Sequence, residues 1–118
     1  MSATRATTKL IFAVEDVDRQ LAEAKDRGYL SHVLVEVDGA RLYPVFFYAV
    51  DCLKYELEAS AKHGQPFIAE TGMIVLPNIT LVAMQDAAQR LCEEGYFKHL
   101  IPLTRERLAN ANPLHWPP

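Results

Sequence analysis

Little in this sequence announces a chemistry. Only two of its 118 residues are cysteine, Cys52 and Cys92. They stand far apart and outside any CxxC pair, so neither a zinc site nor a disulfide framework is indicated. The expectation is two reduced thiols in a cytoplasmic protein. Charge of one sign is also scarce. Twelve Lys and Arg against fifteen Asp and Glu leave −3, which speaks against non-specific nucleic-acid binding. No apolar run approaches the length of a membrane-spanning helix, and the opening MSATRATTK has no apolar stretch of the kind a secretory leader needs. GxGxxG, GxxxxGK(S/T), GxSxG and HExxH are all missing, which removes the common nucleotide, phosphate, hydrolase and zinc-protease signatures. His32, His63, His99 and His115 are scattered singly without ligand spacing, so no metal site and no cofactor are expected.

What is present is an ordinary globular composition. Half of the residues are hydrophobic and 23% are charged. A chain of this size buries roughly 65% of its extended surface and can build one core without staples. We expect a single domain over residues 1–110, followed by a Pro-rich tail over 111–118.

Thr8 to Val14 is a short apolar run rich in strand formers. Glu15, Asp16 and Asp18 then place negative charge at a helix start, and Val14, Val17, Leu21 and Ala24 form a helical stripe that ends at Gly28. Residues 31–37 and 41–49 flank Asp38-Gly39, the strongest hairpin signal in the chain. Asp51 suits a helix N-cap. Leu53, Leu57 and Ala61 are the stripe of that helix, Lys62 and His63 suit its negative end, and Gly64 closes it. A strand follows within Phe67–Leu76, kinked at Gly72. Thr80 caps a third helix, with Met84, Ala88 and Leu91 along one side. Tyr96 to Thr104 reads as extended, residues 104–110 as one or two helical turns, and residues 112–118 as a tail without regular structure. Gly28-Tyr29-Leu30-Ser31-His32 echoes Gly95-Tyr96-Phe97-Lys98-His99, which helix-stop chemistry explains in part and a duplicated β-α-β unit would explain further.

The first six elements run βαββαβ. That order predicts an α+β fold with a ferredoxin-like arrangement: a four-stranded antiparallel sheet, helices on one face, and a third C-terminal helix with an extended tail. Pro44 is the objection, because this layout puts its strand in the centre, where proline is unwelcome. The alternative is another α+β sheet with the hairpin at an edge.

Two functional expectations follow. The ribbon from Leu42 to Val50 is apolar on both faces, so some partner must cover it. This points to a homodimer that packs sheet faces or shares a sheet edge, and to a protein-interaction or regulatory module with a possible heterologous protein partner. Tyr43, Phe46, Tyr48 and the single tryptophan, Trp116, are the candidate partner-binding residues. The competing expectation is a small dimeric enzyme or small-molecule carrier with a pocket between sheet and helices. His32, Glu36 and Tyr48 would supply acid–base groups there, and Glu70, beside the Gly72 kink, a pocket carboxylate.

Overall fold

A computed structural model describes residues 7–12, 17–103 and 114–116, and among these the backbone but not the side chains of His32 and of residues 114–116. The elements are β1 (Thr8–Phe12), α1 (Val17–Arg27), β2 (Tyr29–Val37), β3 (Arg41–Ala49), α2 (Val50–Lys62), β4 (Met73–Leu76), α3 (Leu81–Glu93), a 3-10 turn at Tyr96–His99, and β5 (Leu114–Trp116). The start of the first helix at Glu15 and Asp16, the turns expected over 104–110 and most of the tail lie outside the described residues.

The fold is α+β, and the βαββαβ order of the first six elements is present. The ferredoxin-like strand order is not. The sheet runs β4-β3-β2-β1-β5, antiparallel throughout except for the parallel pair β3–β4. The difference begins at Gly28. With φ +84° it closes α1 by donating to the Ala24 carbonyl at 2.8 Å, and the chain enters β2 directly, antiparallel to β1. Leu10 and Phe12 then lie opposite Val35 and Val33, which assembles one apolar face without a crossover. The one parallel connection is β3–α2–β4.

The order also resolves the problem of Pro44. Phe46 donates its N–H to the Gly72 carbonyl at 3.1 Å, so the donor side of this part of β3 faces β4. Pro44, two residues earlier, has the same orientation. The β4 ladder begins only at the Phe46–Met73 pair, so no ladder bond is lost at Pro44.

β2 begins at Tyr29, two residues earlier than the alternation suggests. A bulge at Ser31–His32 shifts its register against β3 between Leu30 and Val33. One extra residue resets the period of two, so Leu30 and Val33 both face the core. The hairpin forms where expected: Asp38 (φ 53°) and Gly39 (φ 69°) both take left-handed backbone at the centre of a tight turn closed by the Ala40 N–H donating to the Val37 carbonyl at 3.1 Å, and Ala40 is a third loop residue before the Val37–Arg41 pair.

The core lies on one face of the sheet. Leu10, Phe12, Val33, Val35, Tyr43, Val45 and Phe47 pack under Ala24 of α1 and Met84 and Ala88 of α3. α3 is pinned to β1 through Thr8, whose carbonyl accepts from Gln85 Nε2 at 2.8 Å and whose hydroxyl donates to Gln89 Oε1 at 2.8 Å. The covering helices are therefore the first and third, not the first and second. The opposite face is partly covered by the chain itself. Ile11, Leu34 and Leu42 are buried there against Leu103, which donates to the Leu42 carbonyl at 2.7 Å.

Two C-terminal expectations need correction. Tyr96–His99 is a 3-10 turn rather than the start of an extended segment, so the echo with residues 28–32 is a shared helix stop and not a duplicated unit. Leu114–Trp116, expected to be irregular, pairs with Phe12–Leu10 as an edge strand. Three residues between Pro113 and Pro117 fit an edge, where proline costs no ladder bond.

Candidate functional site

α2 determines what chemistry this molecule brings together. It starts at Val50, so Asp51 sits in its first turn rather than at its cap. None of its 13 residues is buried. The helix turns Cys52, Ala59 and Ser60 toward the body, and a Cβ on Gly28 would approach the Cys52 Cβ to 2.5 Å. The stripe that periodicity assigned to the core points elsewhere. Leu53 is half-buried and Ala61 exposed, Leu57 is 39% exposed and Val50 50%.

The inward side of α2 and the segment leading to β4 enclose an open cavity of about 410 Å³, with Tyr48, Glu56, Ser60, His63, Gln65 and Glu70 among its lining residues. Burial pushes the Tyr48 phenol above its ordinary 10.0, and the carboxylates of Glu70 and Glu56, then Cys52 and Tyr29, push it further the same way. Burial also raises the Cys52 thiol, with Glu56 adding to it. Both groups therefore stay protonated at neutral pH. The cavity offers a phenolic donor, an imidazole and two carboxylates, a set suited to holding a cationic or hydrogen-bonding group.

Of the expected acid–base set, Tyr48 and Glu70 meet here, but Glu36 does not join them. The hairpin register puts Glu36 opposite Leu42 and Tyr48 opposite Tyr29, about 20 Å apart along the ladder at ~3.4 Å per residue. Glu36 is 9% exposed, beside Lys9 of β1 in register. The His32 side chain lies outside the described residues. Glu56, Ser60 and His63 line the cavity and are not among the expected site residues. The signal for them is their spacing of four and three along the inward side of α2 and its C-cap, His63.

The partner-binding candidates divide by face. Tyr43 is 2% exposed, its ring 5.1 Å from that of Phe97 in the core, so it presents no surface in this subunit. Phe46 and Tyr48 lie on the other face, half-buried, with rings edge-on at 5.8 Å. Tyr29 extends the row at 5.9 Å from Tyr48, and the Arg27 guanidinium lies 4.6 Å above the Tyr29 ring. Met73 and Val75 of β4 continue the same face in register with Phe46 and Tyr48. Trp116 pairs with Leu10 through its backbone, and its side chain lies outside the described residues.

Among the described residues no three His, Cys, Asp or Glu gather as a metal site, and no helix is long and apolar enough to cross a membrane. No known protein family, curated protein or solved structure matches the chain.

Proposed function

We propose that the protein is a non-enzymatic interaction or regulatory module that acts as a homodimer and presents further apolar surface to a heterologous protein. The observation that carries this reading is α2, a 13-residue helix with no buried side chain and with Val50 and Leu57 turned to solvent. A free-standing helix of that length is marginal in water, and soluble monomers avoid contiguous exposed apolar surface. The row Tyr29–Tyr48–Phe46, continued by Val75, adds apolar area on the sheet face that α1 and α3 leave open. The free thiols of Cys52 and Cys92 suit a reducing, cytoplasmic setting.

Sedimentation equilibrium from about 1 to 500 µM, a range that captures small and weak interfaces, tests this. The expected result is a species of twice 13.3 kDa at high concentration. A 13.3 kDa species throughout overturns the homodimer reading. The cavity of about 410 Å³ favours a second reading, a carrier of small cationic molecules held by Glu56 and Glu70. Thermal-shift titration with small alkyl and aryl amines is expected to stabilise the wild type and not Glu70→Gln if that reading holds.

A further inference from the structure

Four charges on α2 repeat the spacing of its apolar stripe one residue further on. The stripe is Val50, Leu53, Leu57 and Ala61, and the charges are Asp51, Lys54, Glu58 and Lys62. Each step of one residue turns about 100° around the helix, so the charges form the flank directly beside the stripe. Their signs alternate along it: minus, plus, minus, plus. A row of that pattern is its own complement when the helix is laid against a reversed copy of itself. Although Lys54 and Glu58, and Glu58 and Lys62, are four apart, a spacing at which a helix readily pairs its own charges, none of the four takes part in an ion pair among the described residues.

We propose that α2 packs antiparallel on α2 of a second copy, about a two-fold axis near Leu57. Leu57 then meets the partner subunit's Leu57 at the centre. Leu53, the larger side chain, meets the partner subunit's Ala61, the smaller. Asp51 faces the partner subunit's Lys62, and Lys54 faces the partner subunit's Glu58, each pair formed twice by symmetry. The apolar contacts and the charge pairs select the same register to within a residue. The opposed helix dipoles also favour the reversed arrangement. This inference rests on the homodimer reading and specifies the surface it uses. Two helices of 13 residues make a small interface, so association in the micromolar range is expected.

The test uses two full-length variants, Lys54→Glu and Glu58→Lys. Each places like charges opposite one another in its own homodimer, and the mixture of the two restores opposite charges at every pair. The expected result is homodimers weakened roughly tenfold by the like-charge contacts, with the mixed dimer recovering wild-type affinity. Leu57→Asp, at an exposed position that leaves the core intact, is expected to abolish dimers. Mixing isolates the contact between subunits, because changes within one helix are the same in pure and mixed samples. A wild type that dimerises while the variants dimerise as well, with no preference for the mixed pair, overturns α2 pairing and leaves the homodimer standing. A wild type that is monomeric at every concentration overturns both.

Discussion

Gly28→Ala tests the junction on which the placement of α2 depends. Gly28 has φ +84°, where a side chain costs roughly 1–2 kcal/mol. Its added Cβ would also lie 2.5 Å from the Cys52 Cβ, so α1 and α2 must separate or the local backbone must shift. Overpacking of this kind costs roughly 1–3 kcal/mol more, for a total of about 2–5 kcal/mol. Gly39→Ala is the matched control, since Gly39 has φ +69° but nothing within 4 Å of its Cβ, leaving only the backbone cost of about 1–2 kcal/mol. Urea unfolding followed by circular dichroism, with the slope against denaturant checked for constancy, measures both. Cys52→Gly removes the atom that the new methyl meets, so the Gly28→Ala/Cys52→Gly pair is expected to cost less than the sum of its two single changes. Equal losses for Gly28→Ala and Gly39→Ala, with additive behaviour of the pair, would refute the contact between the end of α1 and the start of α2.

Phe47→Ala and Phe46→Ala separate the two faces of β3. Phe47 is fully buried in the helix-covered core and should lose about 3–5 kcal/mol, while half-buried Phe46 should lose well under half of that in urea unfolding, and equal losses would contradict the assignment of faces. The Tyr48 phenol should ionise above its ordinary 10.0 when followed by absorbance near the tyrosinate band, and Glu70→Gln should move that ionisation down, because a negative neighbour disfavours a second negative charge. The linked effect on stability has a definite sign. The unfolded chain releases this proton first, so stability falls as pH rises from 10.0 through the higher folded value, and a flat profile there would contradict the raised phenol.

How much of this was legible in the sequence follows the range of the forces involved. The helix stops at Gly28 and Gly95, the Thr80 cap that accepts from the Ala83 N–H at 3.1 Å and the Asp38-Gly39 hairpin depend on a few neighbouring residues, and each could be read directly. Tyr48 and Glu70 were both singled out, but as members of a set with Glu36. The hairpin register separates Glu36 from Tyr48, since counting outward from the three-residue loop Asp38-Gly39-Ala40 pairs Glu36 with Leu42. What brought Glu70 to Tyr48 was the parallel crossover through α2, which no local pattern announces.

The chain's short-range chemistry determined the order of the elements from β1 to α3, the α+β class, the turns and which residues of β3 are apolar on each side. Tertiary structure decided the strand order, the position of Pro44 beyond the reach of β4, the use of α3 rather than α2 as the second covering helix, and the outward rotation of the α2 stripe. The physical reason is that periodicity shows only that a helix has an apolar side. Whether that side meets this subunit's sheet or another surface depends on contacts between residues distant in sequence, and here α1 and α3 already occupy the face that α2 would otherwise have covered.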